Sequence, residues 1–147
     1  MHFTFRIDEE SRTGTAARTR WAAAAAALGT VGAGLGLRAV ATGEAAKYGG
    51  DALYTVLLLT LVVLAVPRAT PLAAAGTALA VSWAVEFLQL SGIPYELSRR
   101  STLARLVLGS TFNPPDLLWY AVGAAAGWFA HTALTRPRRW RDRVSAG

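Results

Sequence analysis

Four long apolar runs alternate with polar segments along the 147 residues of this chain. They cover about residues 21–37, 51–67, 72–90 and 116–134, and each is long enough for a helix that crosses a bilayer. Pro67 and Pro71 bracket a tight turn between the second and third runs, which predicts that these two helices are antiparallel neighbours. The pattern therefore predicts an all-α, polytopic membrane protein with a four-transmembrane-helix bundle.

The polar segments complete the predicted domain organisation. Residues 1–20 are interpreted as a disordered cytoplasmic tail, residues 21–135 as the membrane domain, and residues 136–147 as a basic cytoplasmic tail. Residues 38–50 are interpreted as a polar loop. Within the connection of residues 91–115, the apolar stretch Leu103–Leu108 is too short to span, which predicts an interfacial or re-entrant helix between the third and fourth spans.

The first apolar run allows a second interpretation. Ala39-Val40-Ala41 has the A-x-A form of a signal-peptide cleavage site, so residues 1–41 are a candidate for removal. The length of the run, three acids in the leader, and Arg38 between the run and the site favour a retained helix instead. The sequence leaves both alternatives open.

Small residues recur at helical spacing in two of the runs. Gly32 and Gly36 form one G-x-x-x-G pair, and Gly123 and Gly127 form another. Such pairs let helix backbones approach closely in lipid, where no hydrophobic effect drives helices together. We predict that both pairs lie at helix-packing surfaces, and a homodimer is compatible with them.

The net charge of +6 in a chain that is 53% hydrophobic comes from arginines that flank the apolar runs. With four spans, ten basic residues fall on the side of the termini and five on the other, which places both termini in the cytoplasm. This pattern predicts a multi-pass protein of the cell membrane rather than a nucleic-acid-binding one. The five on the outer side are Arg38, Lys47, Arg99, Arg100 and Arg105.

Polar groups at the outer ends of the runs predict a polar pocket. Its candidate residues are Asp51, Glu86, Gln89, Arg100, Arg105 and Asp116. Ionisable groups inside a membrane are costly and mark functional sites by default, and arginine suits bidentate binding of phosphate or carboxylate. The tandem arginines leave open whether Arg99 or Arg100 faces the pocket. Asp51 and Asp116 also suit helix N-termini.

Metal and cofactor chemistry is not indicated by the sequence. The chain has no cysteine, and its two histidines lie far apart. We therefore predict no metal and no cofactor. Membrane lipids are the expected partners, with an anionic lipid or an envelope precursor as the candidate ligand.

Several of these residues form four motifs: E-x-x-Q-L, R-x-T, L-V-L-G-S-x-F and D-L-L-x-Y-x-x-G. They correspond to Glu86, Gln89, Leu90, Arg100, Thr102, Leu106 to Ser110, Phe112, Asp116 to Leu118, Tyr120 and Gly123, with Tyr48 and Gly50 to Leu53 upstream. These motifs resemble the domain of unknown function 2809 family, which comprises small bacterial integral membrane proteins distantly similar to the VanZ-like family. The resemblance spans about residues 30–130 and implies a membrane fold without an established activity.

Three functional hypotheses follow from these observations. The first is a binding or accessory protein for a lipid or envelope molecule, with an outward-facing pocket floored by Glu86 and covered by Leu103–Leu108; an enzyme is the less favoured form. The second is a purely structural polar network without a ligand. The third is a small dimeric transporter that uses Glu86, which lies nearer one end of its helix than the midplane.

Overall fold

The computed structural model describes residues 3–136, with side chains for residues 13–136. In this part of the chain there are six α-helices and no strand, which confirms the predicted all-α class. The helices are α1 (Phe3–Val40), α2 (Gly43–Ala65), α3 (Pro71–Leu88), α4 (Ile93–Arg100), α5 (Thr102–Leu108) and α6 (Pro114–Thr135). A 3₁₀ turn at Gln89–Ser91 continues α3.

Local capping chemistry fixes where α3 and α5 begin. The Thr70 hydroxyl accepts a hydrogen bond from the Ala73 N–H at 3.2 Å, and Pro71 occupies the first helical position, where its missing N–H costs nothing. The Ser101 hydroxyl accepts from the Ala104 N–H at 3.2 Å in the same way. These caps satisfy N–H groups that have no partner within their own helices.

Two predicted boundaries are wrong. Helix α1 begins at Phe3, so residues 3–20 are helical rather than the predicted disordered tail. Helix α2 begins at Gly43, so the predicted loop of residues 38–50 shrinks to residues 41–42. Gly49 lies where an added Cβ would be 2.5 Å from Leu37 Cδ2, so it permits close packing of α1 and α2 within a helix. Residues 137–147, most of the predicted basic tail, lie outside the described residues.

Three of the helices in the described part of the chain are long and apolar enough to cross a membrane. These are α1 over Thr13–Val40, α2, and α3 with its 3₁₀ continuation to Ser91. Helix α6 has a comparable 22 residues but is not among them, because aromatic residues, glycines and His131 lower its apolar character. A helix that buries glycine and alanine against its neighbours does not need the apolar surface of a lipid-facing one.

Helix α2 lies at the centre of the bundle. It packs against α1, α3 and α6, and α3 also packs against α6. The core between these helices consists of small and aliphatic side chains, including Leu59, Val63, Ala74 and Ala78, all of them buried. Helix α1 is peripheral, because only 6% of its most apolar stretch is buried, against 22% for α2 and 28% for α3.

The helix directions bring most of the polar chemistry to one end of the bundle. Arg20 Nε donates to the Leu64 carbonyl at 3.3 Å, so the first half of α1 lies beside the last turn of α2. The polar end is therefore formed by the C-terminal ends of α1 and α3, the N-terminal ends of α2 and α6, and the short helices α4 and α5. All acidic side chains between residues 13 and 136 lie at this polar end: Glu44, Asp51, Glu86, Glu96 and Asp116.

Candidate functional site

Glu86 is a fully buried carboxylate on α3, and both of its oxygens have partners from the α6 side of the bundle. Oε1 accepts a hydrogen bond from the Asn113 backbone N–H at 2.6 Å. Oε2 accepts from the Tyr120 hydroxyl at 3.1 Å. Buried charge is tolerated when strong donors replace the lost water. Glu86 therefore connects α3 to the start of α6, and each of its oxygens already accepts one hydrogen bond.

A second buried polar contact lies one helical turn away from Glu86. Ser82 is fully buried, and its hydroxyl is 2.9 Å from the Thr55 hydroxyl on α2 and 2.9 Å from the Ala78 carbonyl. Since Ser82 donates to the carbonyl of its own helix, Thr55 is the donor between the two hydroxyls. Ser82 and Glu86 thus form a polar stripe on α3 that faces the bundle interior, as their i, i+4 spacing predicts.

Lys47 bridges two carboxylates from different helices. Its Nζ is 3.7 Å from Asp51 Oδ2, one turn further along α2, and it forms a hydrogen-bonded ion pair with Asp116 on α6. The Asn113 side-chain amide also donates to Asp116. The neighbouring Tyr48 stacks on Trp119 with ring centroids 5.5 Å apart, so the α2–α6 contact combines charge with aromatic packing.

A cavity of about 540 Å³ lies beside this network, between α1, α2, α3 and α5. Three cations from three different helices line it: Arg38 of α1, Lys47 of α2 and Arg105 of α5. Asp51 and Gln89 line it as well, and each contributes a buried oxygen, Oδ2 and Oε1 respectively, that accepts no hydrogen bond. Cations and unpartnered polar atoms converging on one cavity are typical of a ligand site.

Helix α5 forms one wall of the cavity and is held in place by two polar contacts. Gln89 Nε2 donates to the Leu108 carbonyl at 2.8 Å, and the Ser98 hydroxyl donates to the Gly109 carbonyl at 2.7 Å. Gly109 ends the helix with φ of +65°, and an added Cβ there would be 2.6 Å from Gln89 Nε2. Glycine thus supplies both the positive φ and the space for Gln89.

The six predicted site residues divide into three groups. Asp51, Gln89 and Arg105 line the cavity. Glu86 and Asp116 lie in the adjoining network between α3 and α6. Glu86 therefore does not line the cavity, although it was predicted to form its floor. Arg100 does not line this cavity; it borders a shallower depression on α4.

The two tandem arginines both lie outside the cavity. Arg99 pairs with Glu96 at 3.9 Å on the surface of α4, and Arg100 is exposed. Both belong to the short helix α4, whose last turn they form. Neither of them lines the cavity, whereas Arg105 of the next helix, α5, does.

Four participants were missed from the sequence: Arg38, Lys47, Asn113 and Tyr120. Lys47 and Asp51 are i, i+4 neighbours because α2 begins at Gly43, and a helix that begins at residue 51 does not include Lys47. Arg38 was used only as a topological charge. Asn113 and Tyr120 meet Glu86 across 27 and 34 residues of chain, and no local signal reports such a contact.

The two predicted glycine pairs differ in their surroundings. An added Cβ at Gly123 would clash with the Ala52 backbone, and one at Gly127 would be 2.6 Å from Leu59 Cδ1, so this pair packs α6 on α2. Gly32 and Gly36 have nothing within 4 Å of an added Cβ and are exposed on α1. They make no helix contact within this single chain.

Metal-binding side chains do not cluster at the polar end. Within residues 13–136, no group of three histidine, cysteine or acidic side chains is placed to hold a metal ion. Of the described groups, those that converge on the cavity are suited to hydrogen bonding and to charge pairing.

Fold and site together define a helical membrane-type protein with a polar cavity at one end of a small bundle. Among known families, the profile of DUF2809, described as proteins of unknown function, matches residues 40–124, more than half of the chain. The chain belongs to the DUF2809 family. The match covers α2 to α5 and half of α6, and all of α1 but Val40 lies outside it. No curated protein and no solved structure matches the chain.

Proposed function

We propose that this chain is a four-span membrane protein whose cavity binds an anionic group of a lipid or envelope molecule, as a binding or accessory protein rather than an enzyme. The observation that carries the proposal is the convergence of Arg38, Lys47 and Arg105 on one cavity. The carboxylates of Asp51 and Asp116 offset two of these three cations, and the remaining positive charge favours an anion.

The free polar atoms add a second argument for a ligand. Asp51 Oδ2 is ion-paired with Lys47 at 3.7 Å but accepts no hydrogen bond, and Gln89 Oε1 accepts none either. A buried acceptor without a donor costs about 1–3 kcal/mol. A ligand phosphate would pair with the two arginines, and a hydroxyl group of the same ligand would donate to these two oxygens. Such a ligand would match both the cations and the acceptors of the site.

The proposed topology places the polar end outside the cytoplasm. The termini and the turn around Arg68 carry ten of the fifteen basic residues, which favours their retention in the cytoplasm. Helix α6 is then the fourth span, with the N-terminal end of α2 beside it. Reporter fusions after Arg68 and after Ser101 test this arrangement. The first should report the cytoplasmic side and the second the opposite side; fusions that report the same side would refute it.

A structural role without a ligand is the second candidate, and the Glu86 network favours it for one part of the site. Both carboxylate oxygens of Glu86 have donors, and Asp116 has two partners, Lys47 and Asn113. This network needs no ligand. It does not account for the two cavity arginines or for the Gln89 oxygen that accepts no hydrogen bond. The transport hypothesis rests on Glu86 as a membrane-embedded carboxylate. Both oxygens of this carboxylate already accept hydrogen bonds from the protein, which gives that hypothesis no added support.

Lipid binding to the purified protein tests the anion proposal. Native mass spectrometry would compare anionic phosphatidylglycerol with zwitterionic phosphatidylcholine of the same chains, for the wild type and for Arg38→Gln and Arg105→Gln. We expect each variant to weaken phosphatidylglycerol binding about three- to tenfold, since one hydrogen bond to a charged group is worth about 1.5 kcal/mol or less at a solvated site. Arg99→Gln, outside the cavity, is the matched control and should bind as the wild type does. Equal loss in all three variants, or no preference for the anionic lipid, would refute the proposal.

A further inference from the structure

The cavity changes character along its length. At the polar end its lining carries Arg38, Lys47 and Arg105. Further along the helices the lining becomes mostly apolar, with aliphatic side chains and the hydroxyl-bearing Thr30, Tyr54 and Tyr120; the aliphatic residues are Val31, Leu35, Leu53, Leu57 and Val85. At a rise of 1.5 Å per residue, the ten residues from Lys47 to Leu57 span about 15 Å. The cavity is therefore an elongated, amphipathic space.

The apolar half of the cavity lies in a fork between α1 and α3. Helix α1 packs on α2 from about Arg20 onward, but it has no comparable contact with α3 or α6. Both α1 and α3 are apolar enough to cross a membrane, so the gap between them faces lipid once the bundle is inserted. The exposed rim of this gap is apolar, because Val31 is 43% and Leu35 is 64% exposed.

Helix α5 restricts the space on the polar side. Arg105, Leu106 and Leu108 belong to the cavity lining, and the Gln89 hydrogen bond to the Leu108 carbonyl fastens this wall to the end of α3. A small hydrophilic anion would leave the aliphatic part of the space empty. A molecule with both a charged head and an apolar chain would fill it completely.

We infer that the ligand is an anionic lipid that enters sideways from the bilayer, between α1 and α3. Its phosphate lies among Arg38, Lys47 and Arg105, and the first part of one acyl chain lies along Val31 and Leu57. This inference rests on the proposed anion-binding function and adds the class of ligand and its route. Charge complementarity selects the head group, and the lipid-facing fork selects an amphiphile over a soluble anion.

Two glycines on α1 provide a matched pair of variants for this inference. An added Cβ meets nothing within 4 Å at Gly34 or at Gly36, so both positions accept a side chain. Gly34 lines the cavity, whereas Gly36, about 200° further around the helix, is exposed and does not line it. Leucine at position 34 would occupy the space proposed for the acyl chain, and leucine at position 36 would project into lipid.

The experiment measures phosphatidylglycerol binding to the full chain in mixed micelles, with glycerophosphoglycerol, the same head group without chains, as competitor. We expect Gly34→Leu to weaken lipid binding at least tenfold, Gly36→Leu to leave it unchanged, and the chain-free head group to compete poorly. If Gly34→Leu lowers the melting temperature, Val31→Trp replaces it, with Leu28→Trp as the control outside the cavity.

The outcomes test the anion site and the lipid inference separately. Equal binding by Gly34→Leu and Gly36→Leu, with effective competition by glycerophosphoglycerol, would overturn the lipid inference and leave the anion site standing. Loss of binding in Arg105→Gln together with Gly34→Leu, but not in Gly36→Leu, supports both. If neither Arg105→Gln nor Gly34→Leu weakens binding, the anion site and the lipid inference both fail.

Discussion

The packing of α6 on α2 predicts a ranked stability series of glycine-to-alanine variants at Gly123, Gly127 and Gly36. All three glycines lie inside helices, where alanine is intrinsically favoured by about 0.5–1 kcal/mol. This intrinsic gain is the same at each site, so differences within the series report only what the new methyl group meets.

The magnitudes follow from the neighbours of each added Cβ. At position 123 the Cβ would be 2.9 Å from the Ala52 carbonyl carbon and Cα, well inside the usual contact of about 3.5 Å or more. These are backbone atoms in the middle of α2, so the two helices must separate by about 0.6 Å or more at this level. Overpacking of this kind costs about 1–3 kcal/mol. Gly123→Ala should therefore be about 1–2 kcal/mol less stable than the wild type.

The other two positions should be milder. At position 127 the overlap is with Leu59 Cδ1 at 2.6 Å, while Leu59 Cγ and Cβ lie at 3.7 and 3.9 Å, so a turn of that side chain relieves it. Gly127→Ala should fall within about 1 kcal/mol of the wild type. Gly36→Ala meets nothing and should be equal to the wild type or slightly more stable.

Reversible unfolding in mixed micelles, titrated with a denaturing detergent and followed by far-UV circular dichroism, measures the series. The midpoint should fall in the order Gly36→Ala, Gly127→Ala, Gly123→Ala. Equal midpoints for Gly123→Ala and Gly36→Ala would refute the close α2–α6 contact. The reverse order would mean that α1, rather than α6, forms the tight helix interface.

Two further predictions concern the polar network. Glu86→Leu leaves two buried donors without an acceptor and should lower the free energy of unfolding by about 2–4 kcal/mol. Glu86→Gln retains an acceptor oxygen and should lower it by less than half as much. Equal losses of the two variants in thermal unfolding would contradict this. Lys47→Met removes the cation between two carboxylates and should lower both the unfolding midpoint and phosphatidylglycerol binding, while Arg99→Met at the surface changes either by no more than experimental scatter. A Lys47→Met variant that binds and unfolds like the wild type would remove Lys47 from the site.

The sequence predicted the helices best where apolar runs are uninterrupted. The central and later runs correspond to α2, α3 and α6, because sustained apolar character and proline turns are local signals. The starts of α1 and α2 were placed too late. Charged residues in 3–20 and the glycines around Gly49 look like loop signals locally, yet both stretches are helical, and Gly49 allows α1 to pack closely on α2.

The candidate site was predictable only to the level of its neighbourhood. Asp51, Gln89 and Arg105 stood out as polar groups beside apolar runs, and they do line one cavity. The division between cavity and network was not predictable, since it depends on which side of α3 each residue faces. The sequence indicates that Tyr120 belongs to a motif but does not predict that it donates to Glu86, because that hydrogen bond forms only where α3 and α6 pack together.

The hydrogen bonds of Glu86 have a consequence for how the chain is made. Its two donors, Asn113 and Tyr120, are synthesised 27 and 34 residues after it. When α3 leaves the ribosome and enters the bilayer, its carboxylate has no partner and is costly to bury in lipid. A chain truncated before Asn113 lacks both donors, so we expect α3 to be less stable in a membrane in that chain than in the full one.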